Sequence, residues 1–255
     1  MTVRVGVTGA TGRMGREVLA AVVDRPDCEP VLAVNRTPTA ETVAGVAVEP
    51  AGEFAALLAD REPAVVIDFT GPESATEYAT ACAEAGVAFV TGTTGFDDDD
   101  RETLAAASES TAVLHAPNFA RGVQTLANVL GEAVRSLPGY DVELVETHHN
   151  GKRDAPSGTA NRLLAEIEAH GEFTGRTHGR AGESPREAGE IGVHALRAGE
   201  VTGSHEVLLA GDGEELRLSH RAGDRGVFAA GAVDAAVYLA GRDPGRYEFS
   251  EVIEG

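Results

Sequence analysis

The feature that most constrains this chain is an alternation. Short, almost wholly apolar runs recur through its first half, and stretches with helical spacing lie between them. Residues 3–8, 30–34, 65–70, 87–90 and 111–115 read as strands; residues 13–23, 75–85 and 101–108 read as helices. A continuous apolar run suits a strand covered on both faces, as in a parallel sheet. Parallel neighbours need crossovers, and here the crossovers have helix spacing. The expected architecture is therefore α/β: a Rossmann-type, doubly wound parallel sheet.

The pattern changes after Gly122. Residues 123–134 read as a helix, 142–147 as a strand and 159–170 as a second helix. A Gly-, Arg- and Glu-rich excursion over 171–189 precedes strand-like segments at 191–197, 206–209 and 214–220, and 227–239 is helical again. Strands joined by Gly-rich turns predict a second, α+β domain with a mixed sheet. The acidic run 97–100 is expected to be a solvated helix start favoured by the macrodipole, because nothing nearby completes a metal site.

Charge and composition narrow the function. Asp plus Glu number 41 against 21 Lys plus Arg, a net charge of −20, and only one of those 21 cations is a lysine, Lys152. Nucleic acid and anionic membranes are excluded as partners by such a surface, and no apolar run approaches the ~20 residues of a membrane span. The chain enters its first strand pattern almost at once, so a cytoplasmic protein is expected. An acidic, lysine-poor surface points to salt adaptation. Cys28 and Cys82 match no metal or redox spacing and are expected to be buried, apolar and unpaired.

Gly9-Ala10-Thr11-Gly12-Arg13-Met14-Gly15 follows the first strand and opens the first helix. Glycines let backbone approach a pyrophosphate, and the helix start supplies free N–H groups and a positive dipole end. This turn predicts a dinucleotide site. The second strand ends in Asn35-Arg36, where an acidic residue would select a free ribose 2′-hydroxyl. A neutral and a cationic residue tolerate a 2′-phosphate instead, so NADPH is the expected reductant and NADH the second candidate.

The most specific segment runs from Glu146 to Ala160. It places His148, His149, Lys152 and Arg153 within six positions of a chain that otherwise sheds positive charge. His148 and Lys152 are four apart, but Gly151 and Pro156 argue against a helix, so both are expected on a loop after a strand. Ser157-Gly158-Thr159 then starts a helix, whose N–H groups and two hydroxyls are expected to receive a carboxylate. A zinc site at the paired histidines lacks further ligands, so no metal is expected.

With these motifs the chain resembles the dihydrodipicolinate reductases (4-hydroxy-tetrahydrodipicolinate reductases) of the diaminopimelate and lysine pathway. The further markers are Gly92-Thr93-Thr94-Gly95-Phe96, Ala116-Pro117-Asn118-Phe119 and Arg197-Ala198-Gly199-Glu200. The resemblance implies a nucleotide-binding domain of residues 1–121 with 227–255, and a substrate-binding and oligomerisation domain, 122–226, that builds a homotetramer. It implies that Gly92, Thr93, Thr94, Ala116, Pro117, Asn118 and Phe119 join the glycine-rich turn around the cofactor. His148 is then the catalytic donor or acceptor and Lys152 the proton donor, while His149, Gly158 and Thr159 contact a small dicarboxylate substrate. The chain departs from some members at Gly71, where they carry arginine, and at Asn35, where they carry an acidic residue.

Two other classes begin with a similar turn. Short-chain dehydrogenases need Tyr-x-x-x-Lys, and the residue four before Lys152 is His148. A non-catalytic nucleotide sensor has no use for a cationic loop beside a carboxylate seat. A reductase of another imine or keto diacid remains the alternative within the same fold.

Overall fold

The structure, a computed structural model, describes residues 2–37 and 42–254. In chain order the first elements are β1 (Val3–Thr8), α1 (Arg13–Val23), β2 (Cys28–Asn35), the two-residue strands β3 (Thr42–Val43), β4 (Val46–Ala47) and β5 (Glu49–Pro50), and α2 (Phe54–Arg61). Then come β6 (Val65–Asp68), α3 (Pro72–Ala85), β7 (Ala88–Thr91), α4 (Asp98–Ser108), β8 (Ala112–His115), α5 (Arg121–Ser136), β9 (Asp141–His148) and α6 (Gly158–His170). The chain closes with β10 (Gly175–His178), β11 (Glu190–Arg197), β12 (Gly203–Gly211), β13 (Glu214–Ala222), α7 (Gly226–Leu239), β14 (Gly245–Tyr247) and α8 (Phe249–Glu254).

Two compact units result. One comprises residues up to Phe119 together with those from Arg225 onward; the other is Ala120–Asp224. The first unit is built on a seven-stranded sheet of order β14-β8-β7-β6-β1-β2-β5, parallel at every pairing. Strand order reverses at β1, so the carboxyl ends of β1 and β6 flank a topological switch point, where ligands of such sheets bind. One face of the sheet buries Val5, Val7, Ile67, Val90 and Leu114 against Val18, Leu19 and Val22 of α1 and Ala229, Ala232 and Val233 of α7. The other buries Leu32, Val34, Val66, Phe89 and Val113 against α2, α3 and α4. Successive residues of one strand feed opposite cores, which is why these runs carry no polar alternation.

In the second unit a mixed sheet has the order β10-β11-β9-β12-β13. The pairs β10/β11 and β11/β9 are parallel, and β9/β12 and β12/β13 antiparallel. Its inner face packs Val142, Leu144, Ile191, Val193, Val207 and Leu209 against α5 and α6.

The structure corrects several sequence boundaries. The third predicted strand ends at Asp68 rather than residue 70. Helix α4 begins three residues before the predicted start, because Asp97 and Asp100 form a reciprocal capping box on its first turn. His148 is the last residue of β9 rather than part of the loop, and the excursion over 171–189 contains β10. Helices α2 and α8 and strand β14 were not anticipated. They are short, and packing rather than periodicity fixes them. Cys28 and Cys82 are buried and free.

Within the first unit, α7 approaches the 116–119 segment so closely that a Cβ at Gly231 would stand 1.8 Å from the Phe119 carbonyl oxygen and 3.0 Å from the Phe249 ring. Gly231→Ala is expected to destabilise the protein by about 1–3 kcal/mol, the usual range for overpacking. The check is thermal unfolding against wild type in the same salt.

Candidate active site

The sequence-predicted nucleotide residues lie at the carboxyl edge of the parallel sheet. Gly9 has a left-handed φ of +61° and follows β1 directly. A Cβ at Gly15 would fall 2.2 Å from the Gly9 carbonyl oxygen, so only glycine lets α1 start this close to the strand. Gly12, the N-cap of α1, has no side chain to cap the helix. The Ala10 N–H is bound to the Val34 carbonyl at 3.0 Å, and the Arg16 Nε to the Thr11 carbonyl at 3.0 Å. Arg13 is exposed on the first turn, and Met14 is half-buried against the core.

Gly9, Thr11, Gly12, Asn35 and Arg36 line one cavity of about 430 Å³ together with residues 69–74 and Tyr78. In its lining Arg36 donates to the Ser74 hydroxyl at 2.6 Å, beside the first turn of α3. Asn35 turns its amide to its own loop, donating to the Thr37 carbonyl at 3.3 Å. Glu73 lines the same cavity. Bare backbone at a helix start, a cradle that a Cβ would fill and a guanidinium in the cavity lining fit a pyridine dinucleotide.

One residue of this half was not anticipated. Asp68, fully buried, accepts four threonine hydroxyls: Thr8 and Thr70 on one oxygen at 2.7 Å each, Thr91 and Thr93 on the other at 2.9 and 2.7 Å. The register places Asp68 beside Thr91 on β7, so one carboxylate ties the ends of three adjacent strands. Thr93 is further held through its N–H by Thr91 and through its carbonyl by His115 Nε2 at 3.0 Å. The predicted cofactor residue Thr93 thus points its hydroxyl inward, while Thr94 is exposed. Phe119 is also core, packed edge-on against Phe69 and Phe249. Ala116 is buried, Pro117 exposed and Asn118 half-buried.

The second unit carries the basic loop. Alternation along β9 puts Val142, Leu144, Glu146 and His148 on its inner face. The first two build core; the last two must find polar partners there. The fully buried Glu146 carboxylate receives both outer nitrogens of Arg197 at 2.9 and 2.8 Å, the Ser157 N–H at 3.1 Å and His148 Nδ1 at 2.5 Å. A carboxylate only accepts, so His148 carries its proton on Nδ1 and presents Nε2 as a lone pair. A Cβ at position 203 would stand 3.2 Å from that nitrogen, so Gly203 leaves it uncovered on one side. Burial lowers the pKa of His148, against the raising effect of Glu146. Burial pushes the Glu146 carboxyl up, but the Arg197 and His148 hydrogen bonds outweigh it and hold it below the usual range.

The loop beyond β9 is fastened to the 197–199 turn. The Ala198 N–H reaches the His148 carbonyl at 2.9 Å, the Asn150 N–H the Gly199 carbonyl at 3.1 Å, and Arg197 Nη2 the Asp154 carbonyl at 2.5 Å. Lys152 stands on this loop, half-buried, with Nζ 2.8 Å from the Asp154 carboxylate. His149 is half-buried just past the strand. Ser157 caps α6 by accepting from the Ala160 N–H at 3.1 Å, and its hydroxyl also meets His205 Nε2 at 3.1 Å. Gly158 is exposed at the first position of the helix, and Thr159 is buried. Burial, with His148 beside it, pushes His205 down to about 4, so its ring is neutral beside the loop.

Sequence reasoning passed over Glu146, Asp154, His205 and Asp68. The signal for Glu146 was present: an acid two residues from Leu144 and two from His148 on a half-buried strand must share their face. Among the described residues no group of three or more metal-ligating side chains occurs, and no helix is long and apolar enough to cross a membrane.

A nucleotide cradle at the switch point of one unit and a histidine–carboxylate pair with a lysine in the other define a pyridine-nucleotide-dependent oxidoreductase. Two family models cover the chain, dihydrodipicolinate reductase N-terminus over residues 3–119 and C-terminus over 122–253. The chain belongs to the dihydrodipicolinate reductase family. It is 54% identical to the 4-hydroxy-tetrahydrodipicolinate reductase of Natronomonas pharaonis, over 97% of this chain and 98% of that one. Against the reductase of the same name from Haloarcula marismortui the identity is 49%, over 98% and 99%. The haloarchaeal sources of these relatives fit the acidic, lysine-poor composition. A dipicolinate-bound dihydrodipicolinate reductase from Paenisporosarcina sp. TG-14 superposes with a TM-score of 0.79 at 25% identity, over 97% of this chain and 98% of that one. An amine dehydrogenase from Mycobacterium smegmatis, at 15% identity and a TM-score of 0.61, shares the fold alone.

Glu146 raises the pKa of His148, so removing its charge lowers that pKa further. Glu146→Gln is expected to shift the acid limb of the kcat/KM profile to lower pH. The variant also leaves Arg197 without its anion, so kcat is expected to fall by roughly ten- to a hundredfold. A pH–rate series on wild type and variant checks both.

Proposed function

We propose that the chain reduces 4-hydroxy-tetrahydrodipicolinate (dihydrodipicolinate) to tetrahydrodipicolinate, a step towards diaminopimelate and lysine, using NADPH in preference to NADH. The observation that carries this reading is the basic loop itself. The only lysine of the chain is held beside a helix start and a buried histidine–carboxylate pair, on a loop fastened by Arg197.

The residues divide the work. The glycine-rich turn, Asn35 and Arg36 bind the dinucleotide, with the 92–94 and 116–119 turns on its nicotinamide side. Bound reduced nicotinamide supplies the hydride, and the protein supplies position and charge. Departure of the 4-hydroxyl as water leaves the unsaturated imine ring, and addition of hydride to that ring calls for one proton on the same ring. Lys152, an ammonium held in an ion pair with Asp154, gives it. Arginine holds its proton too tightly for this role. His148 offers Nε2 as an acceptor and relay, its tautomer fixed by Glu146. Substrate carboxylates are met by Lys152, His149 and the first N–H groups of α6 with Ser157, Gly158 and Thr159.

A homotetramer in the cytoplasm belongs to the same proposal. Leu196 is 50% exposed on the face of the mixed sheet opposite α5 and α6, and it supports burial of that face in an assembly.

Consumption of NADPH at 340 nm in an assay coupled to dihydrodipicolinate synthase tests the activity; no consumption would remove the reading. In that assay Lys152→Arg is expected to lose at least about a hundredfold in kcat while binding NADPH as wild type does. Arg36→Ala is expected to lower kcat/KM for NADPH by about tenfold or more and to leave that for NADH nearly unchanged. Comparing the two nucleotides in wild type and variant checks the preference.

A further inference from the structure

The partners of the Asp154 side chain are the groups that the proposed function gives to the substrate. Asp154 Oδ1 lies 2.8 Å from Lys152 Nζ, and the backbone N–H of Gly158, the first residue of α6, stands near enough to help hold the same carboxyl's pKa down. An ammonium and a helix-start N–H are what a bound carboxylate needs. The backbone of Asp154 is fixed, because Arg197 Nη2 donates to its carbonyl at 2.5 Å. Its side chain is 55% exposed, so it has room to leave.

We propose that Asp154 is an internal stand-in for one substrate carboxylate, paired with Lys152 beside the start of α6 in the free enzyme and displaced when the dicarboxylate binds. The inference rests on the substrate site proposed above. An ion pair whose acid is more than half exposed is weak, so an incoming carboxylate that takes over the ammonium meets little resistance. An uncharged ring that cannot do so leaves Lys152 paired. Asp154 therefore selects for an anionic group at this position. It also keeps the ammonium neutralised while the site is empty. Burial raises the Asp154 pKa, but Lys152 outweighs it and holds the carboxyl below its usual range, so the stand-in is charged whenever the enzyme works.

The test exploits the lysine count. Protein labelled with 13C only at lysine Cε gives a single side-chain correlation, from Lys152. The probe is dipicolinate, titrated in molar KCl without nucleotide into wild type, Asp154→Asn and Asp154→Ala. The free signals of wild type and the variants are expected to differ, and the dipicolinate-bound signals to coincide, because the ligand then holds the ammonium in all three. Calorimetry of the same titrations is expected to show dipicolinate binding roughly two- to fivefold tighter in both variants, the competitor being gone. Unchanged or weaker binding in both variants, or bound signals as far apart as the free ones, overturns the inference and leaves the substrate site standing. A wild-type signal that dipicolinate does not move overturns it without reference to any variant. If dipicolinate binds none of the three proteins, the substrate-site reading itself fails and the stand-in falls with it.

Discussion

The carboxylate of Glu146 lies on the face of β9 that otherwise builds the apolar core of the mixed-sheet unit. An ionised group there is tolerable only if its partners are numerous and fixed. Arg197 on the neighbouring parallel strand β11 supplies a bidentate pair, Ser157 a backbone N–H, and His148 a ring N–H. Each partner is thereby placed in turn. The histidine has its tautomer set, the start of α6 is drawn to the strand, and Arg197 reaches on to the Asp154 carbonyl to shape the lysine loop. Losing one member of such a set typically costs ~3–5 kcal/mol, because a buried charge is left without compensation. Stability and chemistry therefore share the same bonds, which is why the loop keeps its shape despite its glycines and exposed tip.

The nucleotide-binding unit solves a similar problem without a cation. Asp68 is as buried as Glu146, but its four acceptor positions are filled by threonine hydroxyls. Hydroxyls are short and few-rotamer donors, so each bond is local: Thr8 ends β1, Thr70 follows β6, Thr91 ends β7 and Thr93 opens the next turn. A guanidinium could not span those four points.

The sequence disclosed these two centres unequally. The doubly wound sheet was legible because strands that are buried on both faces leave unbroken apolar runs. Lys152 and His148 were legible because positive charge is rare in this chain. Asp68 and Glu146 were not, because a lone acid in an acidic protein carries no compositional signal; its meaning comes from burial and from partners 51 or 60 residues away in sequence. The partners of Ser157 were hidden for a related reason. A serine at an N-cap also satisfies its own helix, and here the same hydroxyl meets a buried histidine 48 residues away in sequence. Short elements such as β14 and α8 were missed because three to six residues are too few to show a period.

The charge balance brings these threads together. A protein with a net charge of −20 should repel a dianionic substrate and a nucleotide bearing several phosphates. At about 1 M salt the Debye length is ~3 Å, so repulsion from distant carboxylates is screened while groups in contact still interact. Under such screening, selectivity for an anion has to come from contact: an ammonium, a helix-start N–H, a guanidinium in a cavity lining. Those are the cationic and N–H groups found at the two half-sites, and where a cation is structural rather than proton-transferring the chain uses arginine. Lysine binds ions through a compact, strongly hydrated charge, and an acidic salt-adapted surface has little use for it. Proton transfer is the one task for which arginine cannot substitute, and the chain's single lysine stands where the proposed reaction moves a proton.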